Sequence, residues 1–527
     1  MTNALLIYNC RLLDESMDCP GALLALEGKI RAVFQGYFTD AATVRHMAEA
    51  VLSEDGFDGN VNLTVFDAHS LTLTPAFIDM HVHLRDPGLT QKEDLNSGLH
   101  AAIAGGYGTV VAMPNTSPVV SSAYAALEIK RRGAALGLAN LFQSVSITEN
   151  FEGKSIRHLE ELNREEIPLI TEDGHEVASI AVMLGGMTLA AARGLIVSCH
   201  CEDPELAAAA RPFRMRALEL MEKFHLPAWG GSSFAGSQDG GSVKAGAAGS
   251  AGEFCASGID DVPPEVMEEI DDSLTEANAL LTAAEDICTE RNIALAREAG
   301  CHVHMCHVST MGAIDAIRRA KQRLADEVAD FYTDMADAAN DARLEDRQFV
   351  PLPAIENGFS VTCEVTPHHI ALTGTEEPNI RALVNPPLRS EDDRLCIIDA
   401  IRDGTVDCIA TDHAPHTLED KAKGAPGFTG IETSYGVCNT VLVKEGQISA
   451  RRLSALMSAN PARILKLSKG LLKNGYDADL TLVDPNEQWT VDNRLFCSKG
   501  KATPFDGKVL TGMVKGVFIA GRNVYQK

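Results

Sequence analysis

Two histidines and an arginine stand at alternate positions in the stretch IDMHVHLRDPG, residues 78–88. Alternate side chains of a strand point to the same face, so His81, His83 and Arg85 would share one face. Two histidines at positions i and i+2, where a strand ends, are better explained as ligands of one metal ion than as core residues, because imidazole suits Zn²⁺ and related ions. The arginine beside them suits a carboxylate, which its guanidinium can bind through two hydrogen bonds.

Four more residues of the ligand type follow apolar runs elsewhere in the chain. Each taken alone is more often a packing or turn residue than a ligand, but chance poorly explains four of them at the ends of different predicted strands. Because the carboxyl ends of parallel strands meet at one edge of a sheet, we expect these residues to join His81 and His83 in one metal centre. They stand in LIVSCHCED, HVHMCHVST, LITEDG and DCIATDHAPH and are His200, His307, Asp173 and Asp412.

Strand alternation also sorts the neighbours of these residues. Cys199 and Cys201 face away from His200 and are interpreted as packing residues rather than thiolate ligands. By the same rule, His302 and His304 face away from the histidine that ends their strand. We expect both to be buried and hydrogen-bonded outside the barrel lumen.

The middle of the chain, residues 76–465, alternates short apolar runs with helical stretches. This alternation is typical of parallel βα units. Several runs end in a polar residue and a turn, as strands do at the active face of a (β/α)₈ barrel. We therefore predict an α/β fold with a TIM-like barrel. The strand candidates are AFIDMHV, GTVVAM, IPLIT, LIVSCH, HVHMCHV, SVTCEV and DCIATD.

Both ends of the chain are rich in predicted strands. ALLIYNCRLL and NLTVFDAH lie near the beginning, and ADLTLVD and KVLTGMVKGVFIAGRNV lie near the other end. We predict that residues 1–75 and 466–527 together form one small β-sandwich domain. Residues 36–60 read as a helix and loop inserted into its first part.

Two further regions break the barrel pattern, at about residues 207–280 and 322–357. The first contains a Gly/Ser/Ala-rich core, residues 228–258, and an acidic stretch after it, and the second is again acidic. We interpret both as solvated insertions in barrel loops. A docking surface for a basic partner is the alternative.

Charge and composition narrow the classes of partner. The chain has 527 residues and a formal net charge of −27, which argues against nucleic acid or an anionic membrane surface. The sequence has no apolar run long enough for a membrane span and no secretory signal pattern at its start. The 13 cysteines include no CxxC pair, which favours a reduced, cytoplasmic protein.

Taken together, the motifs resemble those of type I dihydroorotases in the amidohydrolase superfamily. The resemblance runs over about residues 70–205, 281–320 and 358–527, and the insertions depart from it. The motifs that carry it are FIDMHVHLRDPG, VVAMPNTSP, TEDG, HCED, HVST, EVTPHH, NPPLR, IATDHAPH, SANPARIL and TPFDGKVLTG.

The resemblance implies the reversible cyclisation of N-carbamoyl-L-aspartate to L-dihydroorotate, with two Zn²⁺ ions per subunit that activate a water molecule. It assigns His81, His83 and Asp412 to one ion, and His200 and His307 to the other. Asp412 would also act as general base in hydrolysis and as acid toward the leaving nitrogen.

Many relatives in the superfamily bridge their two metal ions with a carboxylated lysine, but this chain has no lysine between Lys154 and Lys223. Glu172 and Asp173 are the carboxylates available at the relevant strand end. A turn before Gly174 would explain both, and the resemblance selects Asp173 as the bridging ligand.

For the substrate, the resemblance implies four binding residues: Arg85, Asn115, Asn385 and His416. Without it, Asn115 and Asn385 would be interpreted as turn residues next to proline. His413 is ambiguous and is left out of the predicted site. The expected partner is a small molecule, and the resemblance leaves room for a homodimer and for association with aspartate transcarbamoylase.

Two alternatives stay open. A dihydropyrimidinase, hydantoinase or allantoinase would share the barrel and the paired histidines, but it need not bind a substrate carboxylate. A non-catalytic homologue that supports aspartate transcarbamoylase would not need six metal-ligand candidates.

Overall fold

The computed structural model describes residues 2–57, 61–224, 262–336, 358–374 and 383–527. The Gly/Ser-rich stretch 228–258 and the second half of the acidic region, residues 337–357, lie outside the described residues. The strands are β1 Thr2–Leu13, β2 Asp18–Leu26, β3 Lys29–Gln35, β4 Val61–Asp67, β5 Thr72–Pro75, β6 Phe77–Val82, β7 Tyr107–Ala112, β8 Asn140–Gln143, β9 Val145–Ser146, β10 Leu169–Thr171, β11 Ile196–Cys199, β12 His302–Met305, β13 Ser360–Val365, β14 Cys408–Ile409, β15 Leu480–Thr490, β16 Val509–Ile519 and β17 Arg522–Gln526.

Helices cover the barrel and connect its strands. They are α1 Ala41–Glu54, α2 Leu95–Ala104, α3 Ala123–Ala135, α4 Ile180–Arg193, α5 Pro204–Lys223, α6 Pro264–Ala299, α7 Met311–Ala336, α8 Pro367–Ala371, α9 Glu391–Asp403, α10 Leu418–Ala422, α11 Ser434–Cys438, α12 Ala450–Ser454 and α13 Asn460–Leu465. Among the described helices, none combines the length and the apolar content that crossing a bilayer requires.

Strands β6 to β14 form a closed parallel barrel. β6, β7 and β8 pair in one sheet and β9 to β14 in another, and β8 and β9 are two halves of one barrel position. The barrel closes where Val82 pairs with His413, and the His83 N–H donates to the His413 carbonyl at 2.8 Å. Every residue of β6 and β13 is buried, because barrel strands are covered on both faces. The predicted barrel is confirmed; β8 (NLFQ) was not among the predicted strands.

The strands at the two ends of the chain share one sheet. Its order is β17-β16-β15-β5-β1-β2-β3, with β4 alongside β1. Alternate residues of β1 point to opposite faces of this sheet and pack into two different apolar layers. Leu5 and Ile7 pack in the layer that includes Leu480, whereas Leu6 packs under α1 with Val44. The predictions of one β domain built from both ends, and of a helix within residues 36–60, are confirmed.

The described part of the first insertion is a helical hairpin. α5 and α6 run antiparallel, since Asp203 N–H donates to the Ala284 carbonyl at 3.2 Å and Leu220 packs near Ile270 at the other end. Ala217 and Ile270 are fully buried in this seam. The acidic residues of α6, such as Glu268 and Asp271, are exposed, as expected of a solvated insertion, whereas the apolar residues at helical spacing between them bury each other. In the second insertion, α7 continues to Ala336.

Candidate metal centre and substrate pocket

The carboxylate of Asp173 lies among four imidazole rings. Asp173 follows β10, and the histidines follow or end β6, β11 and β12, so the carboxyl ends of four strands meet here. The distances from Asp173 are 3.3 Å to His81 Nε2, 3.6 Å to His83 Nε2, 3.5 Å to His200 Nδ1 and 3.8 Å to His307 Nε2.

Asp412, which follows β14, completes this cluster. Its Oδ1 is 3.0 Å from His83 Nε2 and 3.6 Å from His81 Nε2. The structure therefore brings all six predicted metal ligands together, and each is buried. Among these six residues, two sets of three have donor atoms within 4.8 Å of one another, as a metal site requires. They are His81–Asp173–His307 and His81–His83–Asp412.

Three of the four imidazoles are held by a polar group at the nitrogen that faces away from Asp173. Such contacts fix the tautomer and the ring orientation of a metal-binding histidine. The contacts are His81 Nδ1–Glu364 Oε1, His83 Nδ1–Asn115 Oδ1 and His200 Nε2–Glu202 Oε2, each at 2.9 Å. Glu364 and Glu202 were not among the predicted site residues, although they lie in the motifs EVTPHH and HCED.

The electrostatics of the cluster keep its carboxylates ionised. Burial opposes the ionisation of Asp173, but the charge of His81 and the hydrogen bonds from His200 and His307 hold its pKa well below the usual range. For Asp412, the hydrogen bond from His83 likewise outweighs burial and lowers the pKa. His81 Nε2 is buried and makes no hydrogen bond within the described residues, although it faces the carboxylates of Asp173, at 3.3 Å, and Asp412, at 3.6 Å.

Three of the predicted site residues adopt left-handed backbone conformations. The φ angles are 57° for Arg85, 35° for His307 and 47° for Asp412. Non-glycine residues in this region cost about 1–3 kcal/mol each, and they persist where surrounding contacts determine the backbone. Each of the three lies two or three residues beyond the end of a strand, so the unusual φ redirects its side chain where strand alternation has ended.

This break in alternation explains one wrong prediction. His304 does not lie outside the lumen, because its Nε2 is 3.0 Å from Glu364 Oε2, on the same carboxylate that contacts His81. β12 ends at Met305, two residues before His307. The alternation of side chains between the two faces of the strand therefore does not continue to His307, and the predicted face of His304 relative to His307 was wrong. Cys199 and Cys201 are buried in the apolar core as predicted.

Glu172 and Asp173 point in different directions. The Glu172 carboxylate accepts hydrogen bonds from the backbone N–H of Thr148, at 2.9 Å, and from the Thr148 hydroxyl. Burial raises the pKa of Glu172 to about 7. Asp173 alone of the two faces the imidazoles.

Arg85 and His416 lie side by side next to the cluster. Arg85 Nη2 is 3.1 Å from His416 Nε2, and Lys92 Nζ, which was not a predicted site residue, is 3.4 Å from His416 Nδ1. Burial, helped by the charges of Arg85 and Lys92, lowers the pKa of His416 to about 2, so the ring stays neutral. The charges of Asp412 and Asp173 act on Arg85, which is consistent with its place beside the cluster.

The loop after Arg85 is locked by a close backbone approach. Gly88 has φ 88°, and a Cβ there would stand 1.8 Å from the carbonyl oxygen of Ser117. Ser117 N–H donates to the Pro87 carbonyl at 3.1 Å. Only glycine fits this position, which joins the loop that carries Arg85 to the loop that carries Asn115.

The two predicted asparagines have different environments. Asn115 Nδ2 donates to Asp173 Oδ2 at 3.0 Å, in addition to its contact with His83, so it supports the ligand cluster directly. Asn385 Oδ1 instead accepts a hydrogen bond from Arg214 of α5 at 2.7 Å. The buried ring of His413, left out of the predicted site, lies beside Glu93, with 3.6 Å between His413 Nε2 and Glu93 Oε2.

Comparisons with known proteins agree with this architecture. A family model described as dihydro-orotase-like matches residues 71–220, and one described as amidohydrolase family matches residues 263–524. A curated dihydroorotase of Clostridium botulinum is 33% identical over 99% of this chain and 100% of its own length. One of Aquifex aeolicus is 32% identical over 94% of this chain and 99% of its own length.

Solved structures of hydantoin-cleaving enzymes share the fold. An L-hydantoinase (dihydropyrimidinase) from Arthrobacter aurescens superposes with a TM-score of 0.72 at 20% identity, covering 100% of this chain and 97% of its own. A dihydropyrimidinase from Brevibacillus agri gives 0.67 at 19% identity, covering 99% and 95%. At these identities the likeness concerns the fold alone.

Proposed function

Because the chain belongs to the dihydroorotase family of amidohydrolases, we propose that it catalyses the reversible cyclisation of N-carbamoyl-L-aspartate to L-dihydroorotate, a step of pyrimidine biosynthesis. The observation that carries the proposal is the buried pair Arg85–His416 beside a cluster of imidazoles and carboxylates. A buried guanidinium, with Lys92 and a neutral imidazole close beside it, suits a substrate carboxylate, and the cluster suits the metal-assisted opening of a cyclic amide.

We assign two Zn²⁺ ions to the cluster. The donor set of four imidazoles and two carboxylates suits zinc, and the buried His81 Nε2, which faces two carboxylates without a hydrogen bond to either, supports a cation there. His81, His83 and Asp412 would hold one ion, His200 and His307 the other, and Asp173 both. The ions would supply a water of lowered pKa and polarise the amide carbonyl.

The residues around the ions have separate tasks. Asp412 would accept a proton from the attacking water and deliver it to the ring nitrogen as the C–N bond breaks; in cyclisation the same transfers run in reverse. Arg85 and His416 would bind the free carboxylate. Asn115, which contacts both His83 and Asp173, would link substrate binding to the geometry of the cluster.

The first rival is a hydantoinase or dihydropyrimidinase, the named activities of the structural neighbours. Their substrates lack the carboxylate that Arg85 would bind. Steady-state rates with L-dihydroorotate, hydantoin and dihydrouracil separate the two proposals. Preference for dihydroorotate supports ours, whereas turnover of hydantoin with no turnover of dihydroorotate would refute it.

The second rival is a non-catalytic homologue that supports aspartate transcarbamoylase. Such a protein needs neither metal ions nor turnover. Metal analysis of the purified protein, together with the cyclisation of N-carbamoyl-L-aspartate, decides between them. A metal-free protein that cannot be activated by added Zn²⁺ would favour the scaffold.

We also propose a cytoplasmic setting and assembly with other chains. The cysteines in the described residues are all free, which suits a reducing compartment. A homodimer and a complex with aspartate transcarbamoylase are the expected assemblies, and sedimentation of the protein alone and in mixture with that enzyme would detect either one.

A further inference from the structure

One side chain of the insertion hairpin reaches the predicted substrate pocket. Arg214 of α5 donates from Nη1 to Asn385 Oδ1 at 2.7 Å and from Nη2 to the Val384 carbonyl at 3.2 Å. The guanidinium thus contacts both the side chain of Asn385 and the backbone before it. None of the motifs that carry the resemblance covers Arg214, although the dihydro-orotase-like family model extends to residue 220, so no motif pointed to this contact.

The pKa of Arg214 is influenced by Glu202, a carboxylate on the metal-ligand side of the pocket. Burial lowers the pKa of Arg214, and the negative charge of Glu202 opposes that effect. Glu202 is the carboxylate that contacts His200 Nε2. Arg214 is therefore half-buried against the loop of Asn385.

The contact determines which end of the Asn385 amide is available. A guanidinium has only donors, so the amide must present its oxygen to Arg214. Its Nδ2 hydrogens are then left to donate elsewhere. Without Arg214, the amide could turn by 180° and offer its oxygen, an acceptor, to an anionic or carbonyl-bearing substrate, and the backbone at Val384 would lose a hydrogen bond that holds it in place.

We propose that Arg214 is a positioning residue that orients Asn385 as a hydrogen-bond donor to the substrate. This inference rests on the proposed function, because it takes the substrate to carry carboxylate and carbonyl acceptors. It gives the α5–α6 hairpin a part in substrate recognition. Substrate affinity should depend on Arg214, whereas metal binding should not.

The helix offers a matched control. Arg216, two residues further along α5, pairs with Glu269 of α6 at 2.7 Å, and both side chains are about half exposed, at 49% and 46%. Replacing Arg216 by methionine removes the same charge from the same helix, together with an ion pair that lies away from Asn385. It should leave the kinetics with dihydroorotate unchanged.

The test is a double-mutant cycle on the full chain with Zn²⁺ bound. Arg214→Met, Asn385→Ala, the double variant and Arg216→Met are compared by KM and kcat for dihydroorotate, zinc content and thermal unfolding. Losing one oriented hydrogen bond should raise KM by about tenfold in each single variant. The double variant should be no worse than Asn385→Ala within about twofold, because Arg214 acts through Asn385.

A second readout does not need turnover or the loss of Arg214. Asn385→Asp keeps an acceptor for Arg214 but lacks the N–H donor, so dihydroorotate should bind it about as weakly as it binds Asn385→Ala. Binding is measured by calorimetry with the equilibrium mixture of dihydroorotate and N-carbamoyl-L-aspartate, which undergoes no net turnover, so that Asp412 and both metal ions are kept. The inference would be overturned if the KM increases of Arg214→Met and Asn385→Ala multiplied in the double variant. Wild-type affinity of Asn385→Asp for dihydroorotate would also overturn it. An unmutated protein that neither binds nor turns over dihydroorotate would instead overturn the proposed function, and this inference with it.

Discussion

Replacing Asp173 by alanine should remove at least one metal ion and most activity, whereas replacing the adjacent Glu172 should remove neither. Asp173 is within 3.8 Å of a nitrogen of each of four histidines. Glu172 instead accepts two hydrogen bonds from Thr148. The two neighbours therefore make a matched pair that differs in what the carboxylate contacts.

The magnitudes follow from these contacts. Loss of a partner that only supports a metal ligand lowers metal affinity by about 10- to 100-fold. Asp173 would be a ligand of both ions, so its loss should exceed about 100-fold for at least one of them. Glu172→Ala leaves a buried Thr148 N–H without its acceptor, which should cost about 1–3 kcal/mol of unfolding free energy.

The assay is zinc content after dialysis against a weak chelator, together with dihydroorotate hydrolysis and urea unfolding of both variants. Activity should also be independent of added bicarbonate, because a carboxylate of the chain itself, rather than a carboxylated lysine, takes the bridging position. Equal metal loss in the two variants would refute the reasoning. So would a carboxylated lysine found by mass spectrometry.

Three further changes test other parts of the site and fold. Arg85→Ala should reduce kcat/KM for dihydroorotate by about 2–5 kcal/mol of transition-state binding and leave zinc content unchanged; unaltered kcat/KM would exclude the carboxylate role. Glu202→Ala should weaken zinc binding by about 10- to 100-fold in chelator competition, because His200 loses its acceptor, and equal affinity would contradict this. Burial raises the pKa of Glu432 to about 7 from 4.5, so its protonated form stabilises the fold below pH 4.5 and that contribution is lost as the pH rises through 7. From pH 4.5 to 8, wild-type unfolding free energy should therefore fall by up to about 3 kcal/mol relative to Glu432→Gln, and parallel profiles in urea titrations would contradict this.

The sequence by itself determined the barrel, the β domain and the six metal-ligand candidates. These depend on local patterns: apolar runs of strand length, and polar residues placed directly after them. Because the carboxyl ends of parallel strands meet at one face, a residue such as His200 or Asp412 can be assigned to that face without knowing its neighbours. The same rule failed for His304, because it assumes a regular strand and β12 ends before His307.

Only the tertiary structure decided which groups support the ligands and the substrate pocket. Glu364 contacts His81 across 283 positions of sequence, and Arg214 contacts Asn385 across 171. Neither pair has a spacing that a strand or helix period would reveal. Buried carboxylates and guanidinium groups must find partners wherever the fold brings opposite charges or acceptors within about 3 Å, and that proximity is a property of the packed barrel rather than of any segment.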